Sequence, residues 1–223
     1  MLIKRVINKY FTAHKDNQYF QTDYLIRVQN TYAICTLSYV MVCLYNYYAN
    51  NDYGSIISSF HLLCYYVTFD LLLCEKLIYF HHSLCVILGY VYFNNLQLTY
   101  ASQNFVVCIL STEISTFFLT IRAILEDYKR VNKYLMITYN VNNVIFTGTF
   151  MYTRLYMYIN ALRTDELKYL LSSMSYLDSI LFQICLFSLL VLNVYWSRLI
   201  MKSILRIKSG TKKQITHSTT LIT

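Results

Sequence analysis

Long apolar runs alternate with short polar breaks along most of this chain. Six runs are each long enough to cross the roughly 30 Å hydrocarbon layer of a membrane as an α-helix. They cover residues 31–49, 55–74, 77–93, 98–121, 134–161 and 173–200. In lipid the backbone of such a segment must satisfy its own hydrogen bonds, which favours helices over open strands. The pattern therefore predicts an all-α integral membrane protein, a bundle of about six transmembrane helices.

The same pattern divides the chain into three parts. Residues 1–30 are predicted to form a basic N-terminal arm, 31–205 the six-helix membrane domain, and 206–223 a basic, flexible tail. Within the arm, apolar residues recur near helical spacing, which is typical of a helix lying on the membrane surface. These residues are Leu2, Ile3, Val6, Ile7, Tyr10 and Phe11.

The composition agrees with a membrane domain. Hydrophobic residues make up 57% of the chain and charged residues 13%, against roughly 45–50% and 25% in soluble proteins. This apolar content excludes a disordered chain. The chain has no Pro and 4 Gly, which excludes a collagen-like or linker-rich chain. Abundant Ile, Asn, Tyr and Lys are typical of an AT-rich genome, such as that of a protist or a large DNA virus.

The net charge of +8 would suggest nucleic acid binding in a soluble protein. In a membrane protein, Lys and Arg sort instead to the cytoplasmic side of the spanning helices. If all six runs cross, sixteen of the 19 Lys and Arg lie on the side of the two termini, and Arg163 and Lys168 lie on the other. The bias predicts that both termini are cytoplasmic, and nucleic acid is not expected as a partner.

The ionisable residues inside the runs are the candidate functional groups, because a charge within a bilayer usually faces the bundle interior and has a partner or a role. Asp70, His81 and His82 flank the break at residues 75–76. At ~1.5 Å per residue all three lie about 7–9 Å below the same boundary, so they can meet. Adjacent histidines point ~100° apart, so only one is expected to face Asp70.

A carboxylate beside an imidazole favours general-base chemistry, and Asp70, His81 and His82 are therefore candidate catalytic residues. A purely structural hydrogen-bond cluster that joins two helices is an alternative, and a metal site is a further one. Other polar residues in the runs are Asn140, Asn142, Asn143, Asp178 and Gln183.

Glu113 and Arg154 form a second candidate group. Glu113 lies near the middle of the fourth run and Arg154 interrupts the fifth. Because an unpaired charge at either depth is unfavourable, a mutual salt bridge is expected, with Asn193 and the Trp196 indole as secondary partners. Separate polar partners for each charge are the alternative.

The seven cysteines occupy positions 35, 43, 64, 74, 85, 108 and 185. They are odd in number, contain no CxxC pair and lie in or beside apolar runs. Their spacing matches neither a disulfide framework nor a zinc site, so they are interpreted as small hydrophobic residues.

Several of these residues together carry a family resemblance. Phe69-Asp70-Leu71-Leu72, His81-His82, the segment 112–118 (TEISTFF), Arg154 and the segment 192–196 (LNVYW) occur in that order. In order and spacing the chain resembles the TLC domain (TRAM, LAG1 and CLN8 homology) over roughly residues 31–205. It is closest to the TLC-domain-containing branch, in which an acidic-Ile-Ser-Thr-Pro-Phe motif and an Asn-x-x-Trp motif occur. Phe117 stands where that branch usually has Pro.

The resemblance implies a lipid-handling membrane protein with a central polar and lipid-binding cavity. In the ceramide synthase branch, paired histidines similar in position to His81 and His82 are needed for acyl transfer from acyl-CoA to a sphingoid base. That branch also has a longer signature after the histidines. Residues 83–100 (SLCVILGYVYFNNLQLTY) lack its later His and paired Asp residues, which argues against acyl transferase activity.

Three functional hypotheses follow. The first is a protein that binds, senses or regulates membrane lipids, with Glu113, Arg154, Asn193 and Trp196 contacting the lipid and no cofactor. The second is an acyl-CoA-dependent lipid N-acyltransferase that uses His81 and His82. The third is a secretory-pathway cargo receptor, by analogy with the CLN8 branch. Membrane lipids are the expected partners, with a homo-oligomer as an open alternative. An endomembrane resembling the endoplasmic reticulum, or a host membrane, is expected rather than the plasma membrane.

Overall fold

A computed structural model describes residues 18–71, 76–95, 102–129 and 131–219. Within these ranges the secondary structure is helical. The elements are α1 Gln18–Asn50, α2 Tyr53–Asp70, α3 Lys76–Asn94, α4 Gln103–Ser111, α5 Glu113–Tyr128, α6 Lys133–Phe150, a π-helical segment Met151–Met157, α7 Tyr158–Ala161, α8 Asp165–Ser173 and α9 Tyr176–Thr219.

Each of the six apolar runs is largely helical, but two of them are not regular α-helices. The fourth is divided at Thr112, where the backbone N–H donates to the Ile109 carbonyl at 3.1 Å and the hydroxyl donates to the same oxygen at 2.7 Å. This i−3 pattern tightens the helix locally. The fifth run changes from α to π geometry at Met151–Met157, which apolar periodicity does not reveal.

A turn separates α1 from α2, at the first of the short polar breaks between the apolar runs. Asn51 has a φ of 54°, a left-handed conformation that Asn adopts more readily than most residues. Asp52 then caps α2 and accepts a hydrogen bond from the Ser55 backbone N–H at 3.3 Å. Hydrogen bonds from the Ser55 side chain and backbone lower the pKa of Asp52 below its ordinary value.

The polar segment 163–168, which separates the fifth and sixth apolar runs, leads into the short helix α8. Thr164 caps it by accepting from the Leu167 N–H at 3.3 Å. Glu166 then reaches the start of α4, where its carboxylate accepts from the Phe105 N–H at 3.0 Å and from Asn104 Nδ2 at 2.6 Å. A carboxylate is favourable at a helix N-terminus, so Glu166 holds this loop against the bundle.

The helices extend beyond the boundaries predicted for the membrane domain. α1 begins at Gln18, inside the predicted N-terminal arm, and α9 continues to Thr219, inside the predicted tail. The apolar residues of the proposed surface helix, Leu2 to Phe11, lie outside the described residues, as does Glu75 of the second polar break.

The helices form a ring around a common centre, in which each helix packs against the next. α1 contacts α2, α2 contacts α3, and α3 contacts α9. α9 contacts the π-helical segment, and α6, which leads into that segment, packs against α5, which packs against α1. Most buried hydrophobic residues of the described ranges belong to one large cluster of 22, and a smaller cluster surrounds Leu37 and Val67.

Two helical stretches of the described chain, Gln103–Glu126 and Tyr176–Ile204, are long and apolar enough to cross a membrane. The described surface is also rich in exposed apolar side chains on other helices: Tyr45 on α1, Tyr65 on α2, Tyr90 on α3 and Val144 on α6 are each more than half exposed. Such broad apolar exposure is unusual on a soluble monomer and fits contact with lipid.

A candidate lipid cavity

A cavity of about 410 Å³ lies at the centre of the helices. That volume is within the range of small-ligand sites, roughly 300–1,000 Å³. Its wall is mainly apolar and includes Phe60, Leu63, Val67, Leu88, Ile109, Phe146, Phe150 and Leu189. Ile78, Leu119 and Leu199, on three different helices, line the cavity and are also among the exposed apolar residues. The cavity therefore opens on the apolar outer surface of the helices.

Asp70 and His82 meet at one side of this cavity. Asp70 is the last residue of α2 and is buried, and its Oδ2 lies 2.9 Å from His82 Nδ1. The contact does not have the geometry of an aligned hydrogen bond, so it is a close approach of the carboxylate to the imidazole. Gln29 Nε2 of α1 donates to Asp70 Oδ1. The prediction that Asp70 approaches one of the two histidines is confirmed.

His81 faces a different part of the cavity from His82, as the helical rotation between adjacent residues requires. Its ring packs edge-on against Trp196 of α9 at a centroid distance of 5.2 Å. Its Nε2 lies 3.8 Å from Cys85 Sγ. Among the described residues its buried Nδ1 has no hydrogen-bond partner. His82 Nδ1 also lacks an aligned hydrogen bond, but it lies beside the Asp70 carboxylate.

Arg154 lies in the π-helical segment and is buried, and it joins three helices. Its Nε donates to Ser115 Oγ at 2.8 Å and one terminal nitrogen donates to Thr116 Oγ1 at 2.6 Å. The other terminal nitrogen donates to Asn193 Oδ1 at 3.4 Å. Glu113 Oε1 lies 3.6 Å from the guanidinium. The expected pairing of Glu113 with Arg154 is confirmed.

Trp196 contacts the guanidinium through its ring face, with Arg154 Cζ 5.9 Å from the ring centroid. The cation–π geometry is within the ~6 Å range of such contacts. The two hydroxyl groups of Ser115 and Thr116 are closer to Arg154 than Glu113 is, and neither residue was predicted to have this role. The available signal was that Thr116 follows Glu113 by three residues, which places both on one helix face.

Other polar residues of the runs are distributed differently. Asn142 is buried and donates to the Phe118 carbonyl at 2.9 Å, which links α6 to α5. Gln183 is exposed and donates to Ser179. Asp178 lies in the first turn of α9, half-buried, rather than inside the bundle.

The structure brings the two candidate groups, which the sequence analysis treated separately, into one cavity. Asp70, His81, His82, Glu113 and Arg154 all line it, and Asn193 and Trp196 complete its polar side. Trp196 connects the groups because it contacts both His81 and Arg154.

A family model described as the TLC domain, of TRAM, LAG1 and CLN8, matches residues 6–202. The chain belongs to the TLC-domain family. The predicted family is therefore confirmed, and the match includes most of the segment assigned to an N-terminal arm. No curated protein and no solved structure matches the chain. TLC-domain proteins are membrane proteins, which agrees with the two helical stretches able to cross a membrane.

Proposed function

We propose that this TLC-domain protein binds a membrane lipid in its central cavity, and that six helices cross the membrane with both termini in the cytoplasm. The six would be α1, α2, α3, α4 with α5, α6 through α7, and α9. The distribution of Lys and Arg along the sequence supports this topology.

The observation that carries the proposal is the position of the cavity opening. The apolar side chains of Ile78, Leu119 and Leu199 belong both to the cavity wall and to the exposed surface. A ligand that enters between them passes from the surrounding hydrocarbon directly into the cavity. An amphiphile fits this path, because its chain contacts the apolar wall and its polar end reaches the buried polar groups.

The contacts of the polar groups indicate which of them meets the lipid. The Nε and both terminal nitrogens of Arg154 already contact protein oxygens. Its charge is compensated by Glu113. His81 Nδ1 has no partner among the described residues. We expect the polar end of the lipid to bind at His81, with Arg154 acting mainly to hold the helices around the cavity.

The test measures lipid retained by the purified full chain. Leu119→Trp should narrow the opening and reduce the lipid that co-purifies from membranes, measured by mass spectrometry of a solvent extract. Ile137→Trp is the matched control, because Ile137 is 47% exposed against 44% for Leu119 but does not line the cavity. Equal lipid retention by the two variants, or none by the wild-type chain, would exclude the cavity as a lipid site.

A second candidate is N-acylation of a lipid amine by an acyl-CoA. The close contact of Asp70 with His82 favours it, because a carboxylate beside an imidazole is a common arrangement in general-base catalysis. Lipid mass spectrometry of cells expressing the wild-type chain or a His81→Ala/His82→Ala double variant discriminates the two. A new acylated lipid that the double variant does not form supports the transferase, and unchanged amounts of acylated lipids support binding alone.

A further inference from the structure

A thiol and an imidazole lie side by side in the cavity. His81 and Cys85 are four residues apart on α3, which places them on one helix face. Cys85 Sγ is 3.8 Å from His81 Nε2, and both residues line the cavity. Cys85 is partly accessible rather than fully buried. The pair faces the space in which the proposed lipid would lie.

Cys64 shows that this arrangement is not shared by every cysteine of the cavity. It also lines the cavity, but its sulfur lies against Gly89, where an added Cβ would be 2.9 Å away. Cys35 is exposed on the outside of α1. Of the described cysteines, Cys85 is the one for which the structure gives an imidazole contact.

The chemistry of the pair depends on which nitrogen of His81 holds the proton. In a neutral imidazole one nitrogen donates and the other accepts. A proton on Nδ1, which has no partner within the described residues, leaves Nε2 as the acceptor facing the thiol. A thiol in apolar surroundings stays protonated, so a base at this position is what allows it to act as a nucleophile.

We propose that Cys85 accepts an acyl group from a long-chain acyl thioester, with His81 as its base. The inference rests on the proposed function, since the chain of the acyl group must occupy the lipid cavity. Cys85 Sγ forms a bond to the thioester carbonyl carbon as its proton passes to His81 Nε2. The bond from that carbon to the departing sulfur breaks, and the departing thiolate takes the proton from His81. One thioester replaces another, so no oxidant or other co-reactant is needed.

The experiment uses the full chain in detergent, incubated with palmitoyl-coenzyme A, followed by mass spectrometry of the intact protein and of its peptides. We expect one palmitoyl group on the peptide that contains Cys85, removed by neutral hydroxylamine, which cleaves thioesters but not amides. Cys85→Ser should lose this adduct, and Cys35→Ser should keep it, because Cys35 is exposed and does not line the cavity. His81→Gln should lower the rate of its formation at least tenfold.

Peptide mapping of the wild-type chain also tests the proposal without any variant. An adduct on the exposed Cys35 in place of Cys85 would show spontaneous acylation and overturn the proposal, as would an adduct that resists hydroxylamine or an undiminished rate in His81→Gln. If a photoactivatable fatty acid labels the cavity but palmitoyl-coenzyme A leaves no adduct, Cys85 is not an acceptor and lipid binding stands. If neither reagent labels the chain, both proposals are wrong.

Discussion

Arg154 shows how a single charged side chain is accommodated among apolar helices. Its guanidinium is directed at two hydroxyl groups, an amide oxygen and a carboxylate from two other helices. Glu113, by contrast, has the nearby Thr112 hydroxyl at 3.4 Å besides Arg154. The two charges therefore depend on each other unequally, since three neutral dipoles remain near Arg154 when Glu113 is removed.

This asymmetry predicts the outcome of a double-mutant cycle. Arg154→Gln should destabilise the protein by about 3–5 kcal/mol, because it leaves Glu113 as a buried charge without a cation. Glu113→Gln should cost less, since Arg154 keeps its hydroxyl and amide partners. The double variant should cost less than the sum of the two. The measurement is the thermal transition in detergent.

The exposed pair of Asp165 and Lys168, 2.7 Å apart on α8, is the control for that cycle. Its neutralisation by Asp165→Asn should not shift the transition measurably, because exposed ion pairs contribute little. Strictly additive losses for Glu113→Gln and Arg154→Gln would contradict the coupling and indicate independent partners for the two charges.

At the scale of the helices, close approach depends on small residues at contact points. Gly89 of α3 faces Cys64 of α2, and a Cβ added at Gly89 would lie 2.9 Å from Cys64 Sγ. Small residues at such positions let helices pack closely in a membrane, where burial from water does not drive their association.

Gly89 of α3 and Gly148 of α6 form a matched pair for a test of this contact. Gly89→Ala should force α2 and α3 apart and destabilise the protein by about 1–3 kcal/mol. Gly148→Ala, where an added Cβ has nothing within 4 Å, should be neutral or slightly stabilising, because Ala favours the helix. Thermal transitions of the two purified variants compare them directly, and equal transitions would show that α2 and α3 tolerate the extra methyl group.

The start of α2 has a predicted pH dependence. Because hydrogen bonds from Ser55 lower the pKa of Asp52 in the folded chain, the carboxylate contributes stability above the unfolded pKa, about 3.9. That contribution is lost as the pH falls through the folded pKa. Below about pH 4, wild type should therefore lose stability relative to Asp52→Asn, whose amide oxygen can still cap the helix. Parallel loss in both proteins from pH 6 to pH 3 would contradict the role of Asp52.

At the scale of the whole molecule, the ring of helices encloses one cavity that is lined by residues distant in sequence. Gln29 of α1 and Asn193 of α9 both line it. A ligand in the cavity would contact most of the helices at once, so lipid binding should stabilise the entire bundle rather than one hairpin.

The proposed topology predicts the accessibility of three sites in membrane vesicles. Tags at the two termini should be digested from the cytoplasmic side. A tag inserted beside Arg163, before α8, should be protected from protease added on the cytoplasmic side and digested by protease on the opposite side. The Lys and Arg bias assigns that loop to the side opposite the termini. Termini found on opposite sides would exclude six crossings.

The sequence by itself determined where the helices form and which ionisable residues could be paired within the bundle. Helices form where an apolar run is long enough and each backbone group finds its partner within the same segment, and both conditions are local. Asp70 could be paired with one of His81 and His82, because residues equally far from the connection between two consecutive antiparallel helices lie at the same depth. Only the structure showed that this histidine is His82. Glu113 and Arg154 could be paired because each buried charge needs a partner and few are available.

Only the tertiary structure decided that these two pairs share one cavity. The rotation and neighbours of each helix depend on packing between segments distant in sequence, so no local pattern places Trp196 between His81 and Arg154. The π-helical segment Met151–Met157 places Arg154 beside Ser115 and Thr116. No apolar periodicity in the sequence indicates this π-helix. The contact of Cys85 with His81 became significant in the same way, because its helical spacing is ordinary and its chemistry depends on the cavity that both residues line.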